Sequence, residues 1–208
     1  MPSIVRQSTR TTHKKRRAEI IQTARAVLAE KGPAALSMRH IADEVGIKLA
    51  SLQYHIPNKA ALIQALAEDV VQHYDQHLEE YVQGDSGDAE MVLEEIIRWI
   101  RSPKEGEWRL IHRLEVQFWA MALIEPVVAE AQHQFFQGYR QFLADLICRI
   151  NPALSWDEAI QRGALMSVMI DGCSLITSEL QPRDPQLDHL TDELVTTALQ
   201  LAKRPPSR

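Results

Sequence analysis

The segment from Ser37 to Leu62 constrains the fold more than any other part of the chain, because it reads as two short helices joined by a tight turn. The Ser37 hydroxyl can cap the first helix, and Gly46 supplies the backbone freedom that ends it. A second helix is predicted over 49–55, and Pro57 ends it. Three apolar residues recur at helical spacing in the first helix: Ile41, Ala42 and Val45.

The second of these helices has little apolar surface of its own to bury, and its exposed side carries Ala50, Ser51, Gln53, Tyr54 and His55. A short helix of this kind, held on a rigid partner, is suited to the DNA major groove. Residues 1–60 contain 11 Lys and Arg against 4 Asp and Glu, a net charge of +7, whereas the other 148 residues have a net charge of −12. A basic head on an acidic body predicts that the head binds phosphates.

Residues 46–62 resemble a motif of the TetR family of transcriptional regulators, Gly-(Val/Ile)-Ser-x-x-(Thr/Ser)-Leu-Tyr-x-(His/Tyr)-Phe-x-x-Lys-x-x-Leu, and the upstream Ser-Met-Arg-x-Ile-Ala of residues 37–42 also matches. Lys48 replaces the usual Ser, which weakens a helix cap and adds a cation for phosphate. Gln53 replaces the usual Tyr, which puts an amide able to read a base in place of a ring that contacts phosphate. The strong match covers 13–65, and beyond it the resemblance is one of layout.

The resemblance implies that each subunit inserts the 49–55 helix into a major groove of double-stranded operator DNA. Lys and Arg residues with Tyr54 and His55 would hold phosphates, while Gln53 and its small neighbours would reach base edges. The predicted DNA-binding residues are Arg39, Lys48, Leu49, Ala50, Ser51, Gln53, Tyr54, His55 and Lys59.

The whole chain is predicted to be all-α, with about nine helices, because no alternating segment is bounded by turn residues. Residues 1–13 lack periodicity and are expected to form a disordered basic arm. Residues 14–60 are expected to form the three-helix head with the helix-turn-helix, and 61–208 the helical body for effector binding and dimerisation. Helices after the head are predicted at about 58–81, 89–101, 108–123, 126–150, 156–180 and 187–202.

One helix of the body carries a mixed surface of two indoles, an imidazole and a carboxylate, formed by Trp108, His112, Glu115 and Trp119. This line is either a half-exposed face with its aromatic edges against neighbours or the wall of a ligand pocket. The resemblance implies a small-molecule effector inside the body, which favours the pocket. The predicted effector-binding residues are Trp99, Trp108, His112, Glu115, Trp119, Met166, Met169 and Ile170.

The helix that begins at Trp156 is apolar on most of its surface, so it must be buried on two sides. One side can face the core of its own chain, and a second subunit is the simplest cover for the other, although a large single-chain core could bury both. A two-fold homodimer, which the resemblance also implies, is predicted to use Leu165, Val168, Gly172, Ile176, Leu194, Ala198 and Leu201.

Several classes of protein are excluded by the sequence. No apolar run is long enough to span a membrane, and the polar, basic N-terminus is not a secretory signal. Cys148 and Cys173 fit buried reduced thiols, so a cytoplasmic location is expected. His73 and His77 have a spacing that can place two imidazoles on one metal, but with no third ligand nearby a solvated or pocket-lining pair is favoured, and no metal or cofactor is predicted.

No catalytic motif appears, so the chain is not expected to be an enzyme. The sequence favours a dimeric repressor released from a palindromic operator by a small-molecule effector. The alternative is an all-α enzyme or small-molecule binding protein that uses the surface formed by Trp108, His112, Glu115 and Trp119.

Overall fold

The computed structural model describes the backbone of residues 3–83, 88–102, 105–176 and 184–206, with the side chains of 13–78, 88–102, 105–173 and 184–206. Within these ranges the chain forms nine α-helices, two short 3-10 turns and no strand, which confirms the all-α prediction. The helices are α1 Ser3–Lys31, α2 Met38–Val45, α3 Leu49–His55, α4 Lys59–Gln83, α5 Ala89–Arg101, α6 Gly106–Ala122, α7 Pro126–Ile150, α8 Trp156–Ile176 and α9 Leu190–Lys203. The breaks predicted at 84–87, 103–104 and 181–183 lie outside the described residues.

Helix α1 begins at Ser3, whereas the sequence predicts a disordered arm over 1–13 and a helix from Lys14. No proline or glycine occurs between Ser3 and Lys31. Because nothing in this stretch interrupts the helical backbone, the helix extends towards the N-terminus from its packed part. The helix therefore starts earlier than predicted, and the assignment of residues 1–13 to a basic arm stays a prediction.

The chain divides into two compact units that do not follow the predicted boundary at residue 60. The first unit comprises Met1–Asp75 and Lys104–His133, and the second comprises Gln76–Pro103 and Gln134–Arg208. Helix α6 thus packs in the first unit, where it lies against α1. The assignment of separate roles to 14–60 and 61–208 stays a prediction.

The core of the first unit fixes the two short helices. Leu52 and Ile56 of the α3 region are buried together with Ile41 of α2 and Leu28 of α1. Helix α4 adds Leu62 and Leu66 to the same core, and α6 adds Ile111, Leu114 and Phe118. Helix α3 is therefore held by an apolar core made of several elements.

The core of the second unit is formed by α5, α8, α9 and the later part of α7. Each helix contributes fully or almost fully buried apolar side chains: Val92, Leu93, Ile96, Ile97, Leu143, Ile147, Met166, Ile170, Leu194, Val195 and Ala198. None of the helices in the described part of the chain is both long and apolar enough to cross a membrane.

A buried arginine fastens the end of α9 to α8. Arg162 donates from Nη1 to the carbonyl oxygens of Leu201 and Ala202, at 3.1 and 3.3 Å, and from Nη2 to that of Pro205, at 2.8 Å. The last carbonyls of a helix have no partner within it, and a cation is favourable at that end of the helix dipole. Arg162 therefore satisfies groups that α9 cannot satisfy itself.

We expect Arg162→Met to lower the free energy of unfolding by about 3 kcal/mol, because several acceptors would lose a charged donor. Chemical denaturation followed by circular dichroism measures this loss. Arg149→Met, at an exposed arginine near the end of α7, is the matched control and should change the stability by no more than about 0.5 kcal/mol. Equal stability of the two variants would contradict the capping role.

Candidate functional site

The turn between α2 and α3 has the geometry that the sequence predicts. The Ser37 hydroxyl accepts a hydrogen bond from the His40 amide at 3.2 Å and caps α2. Gly46 adopts the left-handed conformation, with φ of 73°, and ends the helix. Lys48 occupies the N-cap of α3 and makes no side-chain cap hydrogen bond, as expected from the replacement of the usual Ser. The two helices therefore form a tight helix-turn-helix.

Helix α3 presents one side to the core and the other to solvent. Leu52 is buried and Leu49 is half-buried against the first core, so Leu49 helps to hold the helix in place. The residues predicted to read bases or hold phosphates are exposed, apart from the half-buried His55: Arg39, Lys48, Ala50, Ser51, Gln53, Tyr54 and Lys59. Lys59 lies 3.8 Å from the Glu125 carboxylate, an exposed pair that is worth little and can open.

An aromatic cluster at the end of α3 includes a residue that the sequence interpretation missed. The ring of His13 on α1 lies 4.3 Å from that of His55 and 5.4 Å from that of Tyr54, between centroids. The pKa of His55 is lowered because partial burial disfavours the charged ring and because His13 and Arg16 add repulsion. His55 therefore favours the neutral form. His13 fell within the predicted disordered arm, so sequence alone gave no reason to place it beside α3.

A buried ion cluster ties α1 to α4 and α6. Arg25 is 4% exposed, and it donates to Asp69 Oδ2 at 2.9 Å and to Glu107 Oε1 at 2.5 Å. The imidazole of His73 lies against the same groups, with Nδ1 2.6 Å from the Asp69 carbonyl oxygen and Nε2 3.2 Å from Glu107 Oε1. The hydrogen bond from Arg25 is the main reason that the pKa of Glu107 is lowered.

The sequence interpretation did not single out Arg25, although a signal was present. Arg25 falls on the apolar stripe of α1, one residue after Ala24 and three before Leu28. A charged residue at a core position requires a buried partner. Its partners, 44 and 82 residues away along the chain, could not be identified from local patterns.

Part of the predicted effector face lies together on α6 of the first unit. The Tyr74 hydroxyl donates to Glu115 Oε2 at 2.9 Å, and His112 Nδ1 lies 3.8 Å from the same oxygen. The ring of Trp108 stands edge to face with that of Tyr74, 5.5 Å away between centroids. We call Tyr74, Trp108, His112 and Glu115 the α6 cluster. Trp119 is half-buried on the same helix.

The other predicted effector-binding residues belong to the second unit. Met166 and Ile170 are fully buried in its core, and Met169 packs half-buried against it. These side chains are enclosed by helices of the same unit, and their assignment to an effector-facing wall stays a prediction. Trp99 stacks on His77, with ring centroids 3.8 Å apart.

His73 and His77, whose spacing could place two imidazoles on one metal, have different neighbours. His73 belongs to the Arg25 ion cluster, and His77 lies against Trp99. Among the residues with described side chains, no group of three or more His, Cys, Asp or Glu is arranged to hold a metal ion.

The predicted dimer residues divide between surface and core. On α8, Leu165 is 51% and Val168 is 66% exposed, while Gly172 of α8 and Leu201 of α9 are half-buried. Leu194 and Ala198 are buried in the second core, so their assignment to a dimer interface is wrong. The apolar stripe of α9 packs on α5 and α8 of its own chain. The side chain of Ile176 lies outside the described residues.

Comparisons with known proteins agree with this architecture. Residues 20–66 match the model of the family "Bacterial regulatory proteins, tetR family". The chain is 26% identical over 187 residues to the HTH-type nicotine-responsive transcriptional repressor HdnoR of Paenarthrobacter nicotinovorans, a match that spans 88% of this chain and 94% of that protein.

Solved structures share the fold. The crystal structure of a transcriptional regulator from Rhodococcus sp. Rha1 superimposes with a TM-score of 0.72 and 23% identity, over 88% of this chain and 96% of that one. A putative transcriptional regulator from Saccharomonospora viridis, crystallised in complex with choline, gives a TM-score of 0.68 and 20% identity, over 89% and 94% of the two chains.

We expect Arg25→Met to lower the free energy of unfolding by about 3 kcal/mol, because Asp69 would remain largely buried without its cation. Urea denaturation at pH 7 measures this change. The matched control, Arg16→Met, removes an exposed pair with Glu19 and should cost less than about 0.5 kcal/mol.

The difference between Arg25→Met and the native chain should also depend on pH. Since the pKa of Glu107 is lowered in the folded chain, its stabilisation is present above the unfolded pKa of about 4.3 and is lost as the pH falls further. The same difference at pH 7 and pH 3 would show that the carboxylates are not involved.

Proposed function

We propose that this chain, which belongs to the TetR family of bacterial regulatory proteins, is a dimeric repressor that leaves a palindromic DNA operator when a small molecule binds its helical body. The observation that carries this proposal is the exposed polar side of α3, which Leu52 anchors. Exposed cations occur just before this helix, at Lys48, and just after it, at Lys59. The match to DNA-binding regulators favours this function over an all-α enzyme. Such a repressor acts in the cytoplasm, where its operator is.

The side chains on and around α3 differ in whether they suit contacts to DNA bases or to phosphates. Gln53 is exposed and can pair with adenine through two hydrogen bonds, while Ala50 suits the methyl group of thymine. Arg39, Lys48 and Lys59 are cations at the edge of this surface and suit phosphates. The neutral form of His55 suits a hydrogen bond to a phosphate oxygen better than an ionic contact.

Dimerisation is supported by the outer face of α8. Leu165 and Val168 lie three residues apart, so they share a face of the helix, and both expose most of their side chains. A two-fold dimer suits a palindromic operator, whose half-sites would lie about 34–36 Å apart or a multiple of that distance. Leu201 of α9 can add to the same interface.

Small-molecule control is supported by the relatives and by the α6 cluster. The repressor HdnoR is named as nicotine-responsive, and the Saccharomonospora viridis regulator was crystallised with choline. In this chain the α6 cluster combines aromatic and polar groups in the way that ligand sites do. An effector that favours a conformation with poorly spaced α3 helices would oppose DNA binding.

Gln53→Ala should weaken binding to the preferred operator by about 1–3 kcal/mol and relax the preference at one base pair, because a bidentate contact is lost. Lys59→Ala should weaken binding to all DNA similarly and reduce the salt slope by about one. Fluorescence anisotropy on an operator selected from a random pool, and on scrambled DNA, measures both effects. Gln72→Ala, at an exposed glutamine of α4, is the control; equal losses on both DNAs for Gln53→Ala would refute base reading.

Val168→Glu should convert the dimer to a monomer at micromolar concentration, because it places an unpaired charge in the proposed interface. Sedimentation velocity measures the oligomeric state. Met91→Glu, which changes an equally exposed apolar residue of α5, should leave the dimer intact. A Val168→Glu variant that sediments as the native chain does would place the interface elsewhere.

A further inference from the structure

We propose that the effector is an organic cation, with Glu115 as its counter-ion and the rings of Tyr74 and Trp108 as its walls. This inference rests on the proposed function, since it names the chemical class of the ligand that the repressor answers. It comes from the α6 cluster, in which a largely enclosed carboxylate lies beside two aromatic rings.

The carboxylate of Glu115 is poorly compensated for its degree of burial. Its side chain is 14% exposed, and both of its contacts, from the Tyr74 hydroxyl and from His112, fall on Oε2. The hydroxyl is neutral, and the imidazole compensates the charge only when it is protonated. Burying an ionised carboxylate is costly unless it is paired, so the site favours a ligand that brings a positive charge.

A second glutamate on the same helix shows the contrast. Glu107 is 57% exposed and nevertheless receives the full charge of Arg25 at 2.5 Å. No lysine or arginine nitrogen with a described position lies within 4.0 Å of the Glu115 carboxylate. Among the described lysines and arginines, none compensates the more enclosed of the two carboxylates.

The rings beside Glu115 restrict the cation to an organic one. Tyr74 and Trp108 are half-buried and their planes are inclined by 66°. The Tyr74 hydroxyl contacts Glu115, and Trp108 lies two turns before Glu115 on α6. The face of an aromatic ring attracts an ammonium or similar group, most strongly when the group is partly desolvated. A hydrated metal ion gains little from such walls, and an anion is repelled by Glu115.

The α6 cluster adjoins the ion cluster of Arg25. The ring of Trp108 lies 6.2 Å from that of His73, and His73 contacts both Arg25 and Glu107. A cation packed on Trp108 can shift this ring against His73, and so disturb the ion pair of Arg25 with Glu107 that joins α1 to α6. Because α1 also packs on α2 and α3, this gives effector binding a physical route to the DNA-binding surface.

Calorimetry with simple probes tests the charge preference. We expect the native chain to bind phenyltrimethylammonium, benzylamine or tetraethylammonium at least tenfold more tightly than tert-butylbenzene, the neutral isostere of the first probe, and than benzoate. Glu115→Gln keeps the shape and should reduce cation binding at least tenfold without weakening tert-butylbenzene. Glu95→Gln, at an exposed carboxylate of α5, should leave all affinities unchanged.

A second pair of variants keeps the test decisive if Glu115→Gln does not fold, as checked by circular dichroism. Trp108→Phe retains an aromatic wall and should bind cations within a fewfold of the native chain, whereas Trp108→Leu should lose most of the preference for the cation over its isostere. Undiminished cation binding in Glu115→Gln, equal preference in both Trp108 variants, or no binding of any of the three cations would each overturn the proposal.

Operator binding separates this proposal from the proposed function. Release of a selected operator by a cation that binds through Glu115 supports both. If the chain binds the operator and no cation releases it, the cationic effector is rejected, whereas the proposed DNA-binding function is retained. Cation binding that requires Glu115, in a chain that binds no DNA from a random pool, supports the site and rejects the repressor.

Discussion

The burial of Leu52 and Ile56 is the constraint on which the proposed DNA-binding surface depends. A helix of seven residues is too short to be stable in water by itself, and α3 has no side-chain cap at its first turn. Its structure therefore comes from the apolar core that α1, α2, α4 and α6 build beneath it. Because the core covers the apolar side of α3, the opposite side is exposed to solvent and is the side proposed to contact DNA.

The same core would allow α1 to slide or rotate if apolar contacts were its only attachment, since such contacts are not directional. The Arg25 ion cluster adds direction, because a guanidinium hydrogen-bonds its partners only in particular geometries. It fixes α1 against α4 and α6 at a single point within the first unit. The position of the head helices thus depends on one buried charge and its two carboxylates.

Local features of the fold could be predicted from the sequence, but the contacts between residues far apart in the sequence could not. The turn at Gly46, the cap at Ser37 and the extent of α3 follow from nearest-neighbour rules, and the structure has them. The start of α1 was missed because the sequence contains no local stop. The two apolar sides of α8 were recognised, but only packing shows that Leu194 and Ala198 of α9 cover one of them. Tyr74 and Glu115, which are in contact, lie 41 residues apart along the chain. A periodic sequence pattern cannot predict a contact over that separation.

The clamp formed by Arg162 makes the surroundings of α8 depend on α9. Its acceptors lie 39 to 43 residues further along the chain, so this guanidinium gains those partners only when α9 packs against α8. The same helix carries Leu165 and Val168, the proposed contact with a second copy. The proposed contact surface is therefore tied to the packing of α9, because an Arg162 without its acceptors would be a buried, unpaired charge on the same helix.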